Sequence, residues 1–253
     1  MKLAMAIVLA SIFQQATAAE IDPSGRTVYQ RYVDALGGTD LIQGVQSLEV
    51  HGRYQVEGGP AGDMTLMLAR PDKLLFKIEL DGVGTIIQAT DGKVAWRQHP
   101  VQGLQILTAQ ETRMIDKWVA RGFSLLPDIA AFSHVGTPED SHHAGRPCRK
   151  IALTLVATGE QYQDCFDVET GLLIGRWESS ATPNGPATMM GWSDEYRQFG
   201  PLTVATHWSH ELDARRWSAN YQSVEVNALD PAVFAVPAEL RAAVQDTQAN
   251  ATK

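Results

Sequence analysis

Residues 73–80 read KLLFKIEL. Leu74, Phe76, Ile78 and Leu80 share one parity, Lys73, Lys77 and Glu79 the other, and only Leu75 falls out of step. A period of two marks a strand with one buried face, because successive side chains leave the backbone on opposite sides. The pattern extends both ways. GDMTLMLARP (62–71), GTIIQATDG (84–92) and GKVAWRQHP (92–100) read as neighbouring strands. Arg70-Pro71-Asp72 and Asp91-Gly92 supply turns between them. In the hairpin at Asp91-Gly92, Val94 and Trp96 point to one side.

The alternation stops at Thr108. Thr108 and Glu111 form a capping-box signature, in which the two side chains satisfy the first free amides of a helix. Met114, Ile115, Trp118 and Val119 then recur at helical spacing until Gly122 interrupts them. SLLPDIAAF (124–132) predicts a second short helical piece ending near Ser133. Period two resumes at Gly145 and continues to Asn227. PLTVATHWSHEL (201–212) sets Leu202, Val204, Trp208 and Leu212 against Thr203, His207, Ser209 and Glu211. RRWSANYQSVEVN (215–227) changes parity after Tyr221, which predicts a bulge near Gln222 or Ser223. LDPAVFAVP (229–237) reads as a final docking segment anchored by Phe234. About a dozen short antiparallel strands result, with helices before and between them. The two halves share one plan, a meander on each side of the helical insert.

Residues 1–18 carry Lys2, an apolar run from Leu3 to Phe13 and Ala16-Thr17-Ala18. That order predicts a signal peptide cleaved near Ala18, and hence export to the periplasm. SGRTVYQRYVDALGG follows, with Val28, Tyr32, Ala35 and Leu36 at helical spacing and Gly37-Gly38 as the stop. Thr39-Asp40 restarts a short turn through Leu41 and Val45. A single domain is expected over 19–240, with a frayed tail at 241–253. The formal charge of −8 comes with no basic run. That argues against nucleic acid as a partner and against polybasic attachment to anionic lipid. No stretch approaches the about 20 apolar residues a membrane-spanning helix needs.

Cys148 and Cys165 read as a disulfide in an oxidising compartment. A hairpin through Ala157-Thr158-Gly159 that opposes the two cysteines also opposes Ile151 to Tyr162. Ile151, Leu153, Tyr162 and Phe166 then share one face and both cysteines the other. Two thiols without partners at suitable spacing make a poor metal site.

Catalytic motifs are absent: there is no G-x-S-x-G, H-E-x-x-H, C-x-x-C or phosphate-binding glycine loop. His207 and His210, three apart on a strand, point to opposite faces, so no metal is expected there. His142-His143 reads as part of a solvated loop. Asp194 and Glu195 are adjacent and do not converge. No cofactor is expected, and the chain does not read as an enzyme. Ser193, Asp194 and His210 would be the candidates for an exported hydrolase.

YVDALGG, ARPDKLLFKIEL, TDGKVAWRQHP, GRPCRKIAL, CFDVETGLLIGRWE and YQSVEVNALDPAVFAVP, in that order, span residues 32–237. Together they resemble the LolA/LolB-like family of periplasmic lipoprotein-localisation and lipoprotein-sorting proteins, and especially its outer membrane lipoprotein-sorting branch. The resemblance implies a mainly β, α+β fold: a large curved antiparallel sheet forming an unclosed half-barrel. N-terminal and central helices would cover its concave face. It also implies a cavity for acyl chains, with lipid or lipidated protein as partner. Envelope proteins are the alternative partners, for a sensor or scaffold whose cavity is filled by its own side chains.

One curved sheet has more inner apolar surface than two short helical pieces can cover, and the remainder would be a concave pocket. Candidates for its wall and lid are Leu66, Phe76, Ile78, Trp96, Met114, Trp118, Phe123, Leu153, Phe166, Trp192, Trp208 and Tyr221. Met64, Met67, Met114, Met189 and Met190 suit such a cavity, because methionine adapts to irregular ligands.

Overall fold

The computed structural model describes residues 19–122, 125–182 and 185–241. The leader expected at 1–18, nearly all of the expected tail, and Phe123 lie outside the described residues. The chain enters through β1 (Glu20–Ile21), α1 (Pro23–Leu36) and α2 (Thr39–Gly44). A first meander follows: β2 (Ser47–Val56), β3 (Ala61–Ala69), β4 (Lys73–Leu80), β5 (Gly84–Thr90), β6 (Ala95–His99) and β7 (Gly103–Ile106). Then come α3 (Ala109–Ala120), β8 (Phe132–Val135) and β9 (Glu139–His143). The second meander is β10 (Arg146–Leu155), β11 (Gln161–Asp167), β12 (Leu173–Thr182), β13 (Gly185–Phe199), β14 (Leu202–Leu212) and β15 (Arg215–Val226).

Both meanders belong to one sheet. Its order runs β1-β8-β10-β11-β12-β13-β14-β15-β2-β3-β4-β5-β6-β7, with β9 beside β10 and off this path. The seam is the antiparallel β15–β2 pairing, so the last strand of the chain joins its two halves. β1 pairs with β8 in parallel; the other pairs are antiparallel. Among the described residues the path has two ends, β1 and β7, and the sheet is a curved, unclosed half-barrel with helices on its concave face. The predicted bulge is present: Tyr221 opposes Gly52, Ser223 opposes His51, and Gln222 is the extra residue. Bulges bend a strand and increase its local twist.

α1 starts at Asp22, whose carboxylate accepts from the amides of Ser24 (2.8 Å) and Gly25 (3.1 Å). These bonds, led by the Ser24 hydroxyl, hold the Asp22 carboxyl down at about 2. The Thr137 hydroxyl also donates to Asp22 (2.9 Å), which ties the cap to the chain just after β8. Gly25 is required by close approach: a Cβ there would sit 2.2 Å from the Gly136 carbonyl oxygen. Gly37, at φ 131°, turns the chain out of the helix. The buried stripe is Tyr29, Tyr32, Val33 and Leu36. Tyr29 meets Phe132 and Phe166 edge-on at 5.4 and 6.0 Å, and Tyr32 lies 5.2 Å from Phe166. This aromatic interlock fills the hollow beneath α1.

Two expectations for the insert need correction. SLLPDIAAF does not make a second helix over its described residues; it holds one 3₁₀ turn at Ile129–Ala131. Phe132 and Val135 instead enter β8, which pairs with β10. There they are buried at 4% and 0% exposure, so sheet pairing overrides a weak local preference. The β pattern therefore resumes before Gly145. His142-His143 lies in β9 and not in a loop, with the His143 ring 5.4 Å from Trp177.

Cys148 and Cys165 form a disulfide, with Cα atoms 5.6 Å apart. The expected faces hold: Ile151, Leu153, Tyr162 and Phe166 lie in the main core, whereas the cysteines pack with Ile174 and Trp177 outside it. The register differs by two residues. Cys148 opposes Asp167 and Cys165 opposes Lys150, so the bond runs diagonally. A shift of two preserves every face, which is why the parity survives the error.

Leu75, the exception in KLLFKIEL, is also accounted for. It joins Trp96, Ala89 and Leu240 in a separate cluster on the convex side, with Val236 packed against it. Phe234 anchors the preceding segment at 1% exposure, with Lys73 over its ring at 6.0 Å.

Candidate ligand-binding site

The rest of the hollow lies under α3. The expected capping box forms there: Glu111 accepts from the Thr108 amide (2.9 Å), and Thr108 Oγ1 accepts from the Glu111 amide (3.3 Å). The Thr108 amide leads the groups that hold the Glu111 carboxyl below its ordinary value. Arg97 of β6 pairs with Glu111 at 3.1 Å, fixing the first turn of α3 to the sheet. Further along, Trp118 meets Phe76 of β4 edge-on at 6.0 Å. On the opposite wall, Lys117 and Arg121 reach Glu178 of β12, at 2.9 and 3.3 Å. The helix thus bridges two distant parts of the sheet, through an aromatic contact on one side and ion pairs on the other.

Between these supports is an open space of about 490 Å³. That lies within the range of roughly 300–1,000 Å³ common for small-molecule sites. Its apolar wall includes Met64, Phe76, Ile78, Ile86, Met189 and Leu212. Met114 and Trp118 form the roof, and Tyr54, Trp208, Trp217, Ala219 and Tyr221 complete the floor. Of the residues expected at the site, the structure brings six together here: Phe76, Ile78, Met114, Trp118, Trp208 and Tyr221.

Five others lie elsewhere. Leu66, Leu153 and Phe166 are at most 1% exposed within the packed core, Phe166 directly beneath α1. Trp96 is on the convex face under Leu240. Trp192 is also outside, where the His143 ring approaches it at 6.5 Å. Parity placed these two on strands but did not identify the concave face. The methionines divide similarly: Met64, Met114 and Met189 line the space, and Met67 and Met190 have the opposite strand parity.

The sequence reading missed the polar end. Lys117, Arg121, Arg176, Glu178 and His210 face the same space. Burial pushes the Glu178 carboxyl up, but Arg121 and Lys117 outweigh it and hold the group below its ordinary value. Behind them the Arg176 guanidinium makes a two-point contact with Asp164. Burial pushes the Asp164 carboxyl up to about 8; the paired guanidinium, which keeps its proton, sets two donors against that push. Arg121 and Arg176 also stand 4.9 and 5.1 Å from the Tyr162 ring. The signals were present. Arg176 and Glu178 share a parity around Trp177, Asp164 sits between Tyr162 and Phe166, and His210 sits between Trp208 and Leu212. In each case a polar residue occupies an inward position of a strand.

His210 lies between Trp208 and Trp217, nearly parallel to both, with centroids at 6.5 and 5.6 Å. Burial pushes its imidazole down to about 4, so it is neutral at neutral pH. Three buried polar atoms of this space have no hydrogen-bond partner among the described residues: His210 Nδ1, Trp208 Nε1 and Gln88 Oε1. Such atoms are costly unless something satisfies them.

Ser193, Asp194 and His210 do not assemble. The Ser193 hydroxyl donates to the His207 carbonyl (2.8 Å), and Asp194 bonds His207. His207 also contacts the Ser209 hydroxyl through Nε2 at 3.3 Å. This Ser209–His207–Asp194 chain lies outside the lining of the hollow. Ser209 itself is paired on both sides, with Trp192 of β13 and Ser218 of β15, and the β13 register shifts at Asp194.

No family model matches the chain, and no curated protein matches it. Solved structures do. A DUF1329 family protein from Desulfovibrio piger aligns with a TM-score of 0.57 and 10% identity, covering 85% of this chain and 98% of that one. A LolA superfamily protein from Nitrosomonas europaea gives a TM-score of 0.55 and 9% identity, with 85% and 99% covered. The fold is LolA-like. At this identity the likeness is one of architecture, and it agrees with the half-barrel described above.

Proposed function

We propose that the protein is a periplasmic binding or carrier protein that holds a hydrophobic ligand, a lipid acyl chain or the acylated part of a lipoprotein, beneath α3. The observation that carries this reading is the space of about 490 Å³ that the described side chains leave under α3. The apolar wall contributes binding: each buried methylene is worth about 0.8 kcal/mol before ordering costs. The roof is suited to reversible opening. α3 has only Ile115 and Lys117 fully buried, and Met114 is 39% exposed. An acyl chain that enters can replace the Trp118–Phe76 contact with its own. A self-filled sensor or scaffold has less support, because its premise was a hollow packed by the protein itself.

The test is native mass spectrometry of protein purified from its own envelope, followed by delipidation and a thermal-shift titration with acyl ligands. A co-purifying lipid, and a melting temperature that rises on adding it back, are expected. Stoichiometric recovery of a protein partner with no lipid and no thermal shift would refute the carrier reading.

A further inference from the structure

Resting on that reading, we propose that the ligand is an alkyl chain with an anionic head, a carboxylate or a phosphate ester, and that the head binds Lys117 and Arg121 beside Glu178.

Donors outnumber acceptors at this end of the hollow. Three largely buried cations, Lys117, Arg121 and Arg176, face three acids, Glu178, Asp164 and Glu160. The Glu160 pair is the long one: its Oε2 is buried 3.6 Å from Lys117 Nζ and accepts no hydrogen bond. Asp164 is engaged by Arg176, whereas Lys117 and Arg121 share a single oxygen, Oε2 of Glu178. An ammonium has three donors and a guanidinium five, so a second anion can be accommodated at both without displacing Glu178. Buried charge is tolerated when it is paired and hydrogen-bonded.

Two of the three unpartnered polar atoms fit the same kind of ligand; the third, Gln88 Oε1, is an acceptor on β5. Trp208 Nε1 can only donate, and His210 Nδ1 donates in one tautomer. Both are buried without a partner among the described residues. The wall beyond them, with Phe76, Ile78, Ile86 and Met64, is apolar apart from Gln88 and carries no charge. Head and chain therefore have separate places. Because Lys117 is on α3 and Arg121 is its C-cap residue, a bound head also changes how the roof is held. The helix then grips the ligand as well as β12.

Isothermal titration of the delipidated full chain tests this with four probes: palmitate, hexadecyl phosphate, hexadecanol and inorganic phosphate. The two anionic amphiphiles should bind at least about tenfold tighter than hexadecanol, the scale of one charge-assisted hydrogen bond. The tighter of the two indicates whether a carboxylate or a phosphate ester fits better. Arg121→Gln should reduce that preference to near unity, read as the ratio of anionic-amphiphile to hexadecanol affinity within the variant; Lys117→Met is the second variant should the first fail to fold. Glu178→Gln should widen the preference, which a merely structural Glu178 would not do. Equal binding of palmitate, hexadecyl phosphate and hexadecanol overturns the anionic head and leaves the hydrophobic pocket standing. Inorganic phosphate binding as tightly as hexadecyl phosphate also overturns it. If none of the three alkyl probes binds, the carrier reading falls as well.

Discussion

The concave face of one sheet is filled in two ways. Beneath α1 it is packed: Tyr29, Tyr32, Phe132 and Phe166 interlock through ring contacts of 5.2–6.1 Å, and each is at most 4% exposed. Beneath α3 it is open, bridged by one aromatic contact and a shared carboxylate. Both helices have side-chain caps, and both present apolar residues to the same sheet. They differ in what they insert. α1 buries two tyrosines, a valine and a leucine in its stripe, whereas α3 buries Ile115 and a lysine stem. The packed half acts as a foundation, and the open half is where the proposed function places its ligand.

The comparison breaks most readily at Phe166. Phe166→Ala should lower stability by about 3–5 kcal/mol, the usual cost of removing a buried ring from a core. Urea melting measures it, and a loss below about 1 kcal/mol would show that the α1 half is not close-packed. The next largest effect is acid sensitivity in the open half. The folded-state value of His210 is about 4, below the ordinary value of about 6.5. As pH falls, the unfolded chain takes up this proton first, so stability is lost between about pH 6.5 and 4 and no further below that. The loss attributable to this group is up to about 3 kcal/mol. It should vanish in His210→Gln, read as the difference from wild type at each pH. Identical pH profiles would place the imidazole in contact with water.

Much of this architecture was legible in local pattern. Period two located the strands, and a change of parity after Tyr221 located the bulge at the seam between the two meanders. Thr108 and Glu111 located the start of the roof. Parity also sorted each strand into two faces, but the label of each face depends on neighbours far along the chain. Trp96 and Trp192 show the consequence: correct strands, convex face. Trp96 is buried there because Leu240 folds back over it, a contact no local window contains. Phe132 was misread because its strand exists only through partners far along the chain, β1 and β10. The charged end of the hollow was obscured differently. Asp164, Arg176, Glu178 and His210 lie on three strands, and each looks like an isolated polar exception until the sheet brings them together.

A smaller effect separates packing from roofing. Trp118→Ala removes a half-buried side chain, so its stability cost should be about 1–2 kcal/mol, well below that of Phe166→Ala. The same change should alter affinity for an alkyl probe such as hexadecanol, which Phe166→Ala should not do once folded at low temperature. Titration of both variants decides it. Unchanged hexadecanol affinity in Trp118→Ala would place the ligand away from the roof.

The finest test concerns the cap. Thr108→Ala deletes one half of the capping box and should cost about 1 kcal/mol. Because α3 is joined to the sheet by few buried groups, that loss should appear as local opening. Amides of α3 should then exchange with solvent about five times faster, while those of α1, held by Asp22 and the tyrosine interlock, keep their rates. Hydrogen exchange resolved by residue distinguishes the cases. If α1 and α3 accelerate together, the two halves open as one unit, and the roof cannot lift while the foundation stays closed.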